Sequence, residues 1–265
     1  MATRNEILRE MGLLPVWRSR VPRGAVTAPV ERPHFVAEAP TTANTTPEVV
    51  DAPAPGSRLQ RIATLGWGGF AADVDNCTAC GLCRTRNRTV PGVGDVRAEW
   101  MFVGEAPGAE EDARGEPFVG QAGRLLDNML AALGMRRGKN VYIANVLKCR
   151  PPGNRTPEPS EVEACRPYLD RQIALIRPKL IIALGKSAAT TLLNVDATIA
   201  SLRGRVHRYQ GVPLIVTYHP AYLLRNLPDK AKAWEDLCLA RATTRRLQGG
   251  GDDALRLQPA GADPI

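Results

Sequence analysis

The sequence predicts an α/β fold: a three-layer α/β/α sandwich around a mostly parallel sheet of about four strands. Two observations lead there. Short apolar runs rich in β-branched residues alternate along the chain with longer amphipathic ones, the order that parallel strands joined by right-handed crossover helices require. The short runs are also apolar throughout, as strands covered on both faces are.

Each element follows from its residues. Residues 1–56 hold 8 of the 22 prolines, and the stretch 25–56 mixes Pro, Ala, Thr and acids without an apolar period, so this extension is expected to be mostly disordered. Within it, Asn5 to Leu14 places Ile7, Leu8, Met11 and Leu14 at helical spacing, a short helix that could dock on an unknown partner. A compact domain is expected over 57–247, and a glycine-rich flexible tail over 248–265. Strands are predicted at Glu99 to Val103, Val141 to Val146, Leu180 to Leu184 and Pro213 to Tyr218. Helices are predicted at Ala122 to Leu133, Pro159 to Ile176 with Ser160 as its capping residue, Lys186 to Leu193 and Lys230 to Leu247. In such a sheet the working residues sit just past the carboxyl ends of the strands. That rule selects 104–108, 145–150, Gly185 and 219–225.

The chain is 265 residues long with a net charge of +8. It contains no apolar run near the ~18 residues that a membrane span needs and no export signal at its start, so a cytoplasmic protein without membrane contact is expected. Six cysteines in a reducing compartment point to metal binding or catalysis. The basic charge favours an anionic partner.

Cys77, Cys80 and Cys83 come as C-T-A-C-G-L-C, and Cys149 and Cys165 follow 16 residues apart. Two pairs brought together would supply four thiolates, a set that suits tetrahedral zinc or an iron–sulfur cluster. The wide second pair favours the cluster. Cys83 could replace one of the four, and Cys238 stands alone near the end of the last helix.

Gly104-Glu105-Ala106-Pro107-Gly108 follows the first strand, where glycines and a proline turn the chain sharply and present Glu105 at the sheet end. A plain strand-to-helix turn with a solvated glutamate would have the same pattern. His219 to Arg225 reads H-P-A-Y-L-L-R: a histidine, a rigidifying proline, two leucines on a polar loop and a base. Asn145 ends another strand, and Lys148, Arg150 and Arg155 surround Cys149 with positive charge.

G-E-A-P-G-x-E-E-D at 104–112, P-F-V-G at 117–120, A-N-V-L-K-C-R-P-P at 144–152, L-G at 184–185 and H-P-A-Y-L-L-R at 219–225, with C-x2-C ahead of them, together resemble the family 4 uracil-DNA glycosylases. The resemblance spans roughly residues 58–241 and implies an iron–sulfur enzyme that starts base excision repair. It implies a [4Fe–4S] cluster on Cys77, Cys80, Cys149 and Cys165, leaving Cys83 and Cys238 unliganded. It implies Phe118 as the stacking platform for a flipped uracil, Asn145 as the reader of its edge, and Gly104, Ala106 and Glu111 as pocket walls. Glu111 is the candidate that fills the space of a thymine methyl. His219 and Glu105 are the implied catalytic pair, His219 for charge at uracil O2 and Glu105 for the water or the sugar cation. Leu223, preferred over Leu224, is the implied wedge, and Arg225, Lys148, Arg150 and Arg155 the implied phosphate contacts.

The substrate expected is uracil-containing DNA, single- or double-stranded, and the protein is expected to act as a monomer. No lysine stands where it would form a Schiff base, so strand cleavage is not expected. Two other readings remain at this point: a glycosylase for another deaminated base such as hypoxanthine, and a metal-stabilised nucleic-acid-binding protein without turnover.

Overall fold

The computed structural model describes residues 56–249. The expected N-terminal helix and the tail beyond 249 lie outside the described residues. The element order is α1 (Arg58–Thr64), α2 (Trp67–Asp75), a 3₁₀ turn (Gly81–Arg84), β1 (Val93–Gly94), β2 (Trp100–Gly104), α3 (Ala109–Arg114), α4 (Gln121–Ala132) and β3 (Val141–Asn145). A second 3₁₀ turn (Pro152–Asn154) leads to α5 (Pro159–Ile176), β4 (Leu180–Leu184), α6 (Lys186–Leu193), α7 (Ile199–Leu202), β5 (Val206–Tyr209), β6 (Val212–Thr217), α8 (Pro220–Leu223) and α9 (Asp229–Gly249). Among the described residues no helix is long and apolar enough to cross a membrane.

The sheet has six strands in the order β1-β3-β2-β4-β6-β5. Its four inner strands are the predicted ones, and they run parallel. The two extra strands are antiparallel edges, so the expected count of about four falls short by both edges. β1 is two residues long, and Gly94 is there because a Cβ would sit 2.3 Å from the Val141 carbonyl oxygen. β5 returns into β6 through Gln210 and Gly211, both at positive φ, the twist that a two-residue hairpin turn favours.

Side chains alternate across the inner strands, as period 2 demands. Met101, Val103, Ile181, Ala183, Leu214 and Val216 pack on one face with Leu169, Ile173 and Ile176 of α5 and Ala188, Ala189 and Leu192 of α6. Trp100, Phe102, Ile143, Ile182 and Ile215 pack on the other with Leu126, Met129 and Leu130 of α4 and Ala233, Leu237 and Ala240 of α9. Burying each of the larger of these side chains is worth roughly 1.5–3 kcal/mol, which is why apolar runs and not polar contacts set this fold. At the start of α5, Glu161 accepts from the Glu158 N–H at 2.9 Å, with Pro159 at the first helical position. Glu158 is therefore the cap, and Ser160 lies one turn position inside.

β2 pairs with β3 on one side and β4 on the other, so the chain reverses its direction of travel across the sheet at β2. Open α/β sheets place their crevice outside the strand ends at such a point. Gly104 and Asn145 lie opposite each other there in register.

Candidate active site

A cleft of about 470 Å³ opens at that edge, lined by Glu105, Glu111, Phe118, Asn145 and His219, with Arg155 and Arg225 also facing it. Gly104 and Ala106, singled out from sequence, belong to the same edge. Glu105, Asn145 and His219 are placed by strand ends, Glu111 by α3 and Phe118 by the loop between α3 and α4.

Asn145, the last residue of β3, is 2% exposed. Its side-chain Oδ1 is buried without a hydrogen-bond partner. A buried amide oxygen left unpaired costs about 1–3 kcal/mol, so the fold holds an acceptor in reserve there. Gly104 makes room for it: a Cβ at 104 would meet Asn145 Oδ1 at 2.4 Å and Phe118 Cζ at 2.7 Å. The ring of Phe118 stacks on His219, centroids 5.5 Å apart.

His219 follows β6 and caps α8, its Nδ1 accepting the Ala221 N–H at 3.1 Å. With Nδ1 used as an acceptor, the neutral ring carries its proton on Nε2. Burial lowers its pKa to about 4, with Arg225 pushing the same way against the pull of Glu111. Gly185 sits beneath it at φ +94, where a Cβ would lie 2.9 Å from the His219 Cβ. Glu105 is half-buried; burial raises its pKa, and the polar side chain of Ser187 on α6 opposes the rise. Sequence reading missed Ser187, whose only signal is its place two residues after the L-G turn.

Glu111 is locked. Its Oε2 accepts from the Gly108 N–H at 3.1 Å and its Oε1 from Val119 N–H at 3.0 Å and Gly120 N–H at 3.4 Å, so the carboxylate bridges the turn after β2 to the loop carrying Phe118. The carboxylate is thereby fixed from both sides at the cleft.

Of the remaining predicted contacts, two are corrected. Lys148 is 1% exposed, its Nζ donating to the Asn145 carbonyl at 2.7 Å and to Gln172 Oε1 at 2.6 Å; it braces β3 from within and cannot reach a phosphate. Leu223 is 1% exposed within the core, whereas Leu224 is 41% exposed on the same turn. The helical turn of α8 aims Leu223 inward and leaves Leu224 as the leucine available to a ligand. Arg155 faces the cleft, but its guanidinium is forked onto Glu161, Nη1 to Oε2 at 2.9 Å and Nη2 to Oε1 at 2.6 Å. Arg150 bonds Asn154 through Nε, and Arg225 is exposed.

None of the six cysteines is paired in a disulfide. Cys77, Cys80, Cys149 and Cys165 lie close enough to feel one another's charge. Cationic and backbone donors point at three of their sulfurs: Arg86 Nη1 at Cys149 Sγ, 3.1 Å; Arg58 Nη2 at Cys77 Sγ, 3.6 Å; and the Lys148 N–H at Cys165 Sγ, 3.3 Å. Donors aimed at sulfur are what thiolates need, so the donor set fits an iron–sulfur cluster. Cys83 adjoins this group, while Cys238 on α9 is perturbed only by burial and by its own helix neighbours Arg241 and Glu235.

Residues 91–238 match the family model described as the uracil DNA glycosylase superfamily. The chain belongs to that superfamily. Among curated relatives it is 49% identical over 160 residues to a type-4 uracil-DNA glycosylase of Archaeoglobus fulgidus, covering 57% of this chain and 80% of the relative. It is 47% identical over 174 residues to the type-4 enzyme of Pyrobaculum aerophilum, covering 63% and 88%. A Thermotoga maritima type-4 enzyme is 47% identical over 161 residues, covering 60% and 83%. The superfamily match begins after Cys77 and Cys80 and takes in Glu105, Glu111, Phe118, Asn145 and His219 of the cleft.

Proposed function

We propose that this protein is a monofunctional uracil-DNA glycosylase that hydrolyses the N-glycosidic bond of a flipped-out uracil and so starts base excision repair. One observation carries the reading: the buried, unpartnered Oδ1 of Asn145 beside the Phe118 ring. Uracil offers N3–H as a donor and O4 as an acceptor; the Asn145 amide matches both, its Oδ1 accepting and its Nδ2 donating. Cytosine offers the reverse pair and would leave both sides unsatisfied in a buried site. Thymine differs by a methyl, which the locked Glu111 wall excludes.

Breaking the C1′–N1 bond sends its electron pair to the base and leaves positive charge on the sugar. Neutral His219 donates Nε2–H to uracil O2 as that charge develops, a contribution of roughly 10²–10³ in rate for such donors. Glu105 is placed to orient the water that adds at C1′ and to offset the sugar cation. Extrusion of the base needs a wedge and a clamp on the backbone; Leu224 supplies the first, and Arg225 with Arg150 the second.

Cys77, Cys80, Cys149 and Cys165 would hold a [4Fe–4S] cluster, which when bound supplies a cross-link between the segment after α2, the exit of β3 and α5. Cys149, four residues after Asn145, would then tie the end of β3 to the other two segments. Incubating the purified protein with a uracil oligonucleotide, followed by alkali, tests the reading beside thymine, cytosine and hypoxanthine controls. Strand breaks only after alkali and only at uracil are expected. An iron-loaded protein with no cleavage at uracil overturns it.

A further inference from the structure

Phe118 holds a backbone conformation its type disfavours, with φ +55. A bulky residue in the left-handed region costs of order 1–3 kcal/mol and persists only where its surroundings impose it. Two glycines permit the conformation: a Cβ at Gly123 would lie 1.7 Å from the Phe118 carbonyl oxygen, and one at Gly104 would strike the ring. Permission does not hold the loop in place. Arg137 does, with Nη1 donating to the Pro117 carbonyl at 2.8 Å and Nη2 to the Phe118 carbonyl at 2.7 Å.

The guanidinium is itself fixed. Its Nε donates to Asp127 Oδ1 on α4 at 2.9 Å, and Arg137 sits in a tight turn closed by a bridge between Arg136 and Lys139. A planar fork satisfying two successive carbonyls fixes the peptide between them in a way that a single point donor does not. Because the Phe118 ring stacks on His219 and abuts Asn145, fixing that peptide sets the ring plane against both.

We infer that Arg137 is a positioning residue for the base platform: it pins Phe118 in its strained conformation, so that the pocket for a planar pyrimidine is formed before the base arrives. The inference rests on the uracil reading above and adds to it a residue that never touches the substrate. A platform 1 Å out of place can cost up to about 10²-fold even when the change lies far from the reacting atoms.

The test compares the parent with Arg137→Met, which keeps length and loses all donors, and Arg137→Lys, which keeps the charge and a single donor nitrogen in place of the fork. Each is assayed on a uracil oligonucleotide, and each is inhibited with free uracil, which probes the pocket without the DNA clamp. Arg137→Met is expected to weaken free-uracil inhibition about tenfold or more and to lower kcat/KM at least as much, with parent-like iron content and a cooperative unfolding transition. Arg137→Lys is expected to recover part of both losses. A folded, iron-loaded Arg137→Met with inhibition and kcat/KM within twofold of the parent overturns the inference. Should Arg137→Met not fold, Arg137→Gln, which stays polar but lacks the planar guanidinium fork, takes its place, and unchanged uracil inhibition there overturns it equally. A parent inactive on uracil overturns the functional reading and this inference with it, whereas an active parent beside an unaffected variant overturns the inference alone.

Discussion

The imidazole of His219 lies stacked on the ring of Phe118, with planes 29° from parallel. In the function proposed above one ring is the base platform and the other the donor to uracil O2, so the two would meet the same base from its face and its edge. Burial is also the main reason the pKa of His219 falls to about 4. Two pH effects follow. Ionisation of His219 should not limit activity between pH 8 and pH 5.5, and kcat should fall as pH approaches 4, readable in a single-turnover pH profile.

The stability effect has the opposite origin and the same direction. With a folded pKa of about 4 and an unfolded one near 6.5, the unfolded chain binds the proton more tightly. The contribution of neutral His219 is fully present above pH 6.5 and is lost as pH falls to about 4. Urea midpoints at pH 7 and pH 5 should differ less in His219→Gln than in the parent; equal differences would show the ring is not buried neutral.

Asn145→Ala should separate stability from activity. Removing the amide removes a buried acceptor that has no partner, so the variant should be as stable as the parent within about 1 kcal/mol. Its kcat/KM on uracil should drop by about 10²-fold or more. A large loss of unfolding temperature would mean that Asn145 serves the fold.

The two leucines of α8 and its cap should part company. Leu223→Ala should cost about 2–4 kcal/mol by leaving a core cavity, given that Leu223 is 1% exposed. Leu224→Ala should leave stability within about 0.5 kcal/mol and lower activity on paired uracil more than on single strands, where no stack has to be held open. A ratio of duplex to single-strand rates that does not change removes Leu224 from the wedge role.

Salt dependence distinguishes the basic residues. Arg225→Ala should reduce the slope of log kcat/KM against log salt by about 1. Lys148→Met should leave the slope as in the parent, because its ammonium is spent on Asn145 and Gln172, and should show its effect as lost stability.

Iron content should sort the cysteines. Cys149→Ser and Cys165→Ser should lower the iron-to-protein ratio and bleach the protein, whereas Cys238→Ser should change neither. Cys83→Ser decides between the two cysteine sets that the spacing allows: retained iron assigns the cluster to Cys77, Cys80, Cys149 and Cys165.

Much of this was legible in the residues. The apolar runs of β2, β3, β4 and β6 and the ranges of α5 and α6 could be read directly, because burial on both sheet faces leaves few polar interruptions. The edge strands could not: β1 is two residues long, and the half-buried β5 has no apolar run to announce it. Ser160 was a reasonable cap by type, but the carboxylate of Glu161 reached the free N–H group of Glu158 first.

The order of strands and helices and the side chains at the strand ends are written locally, because hydrophobic period and turn chemistry act over a few residues. What those side chains can reach depends on the packed fold. Lys148 and Arg225 are both bases in basic motifs, yet one is sealed beneath β3 and the other is exposed. Leu223 and Leu224 are identical neighbours, separated by the direction one helical turn gives them. Arg137 meets Pro117 and Phe118 across 20 and 19 residues of chain, with no spacing rule to foretell it. Solvent exposure and long-range hydrogen bonding depend on how the packed layers close around a residue, and that closure belongs to the whole chain.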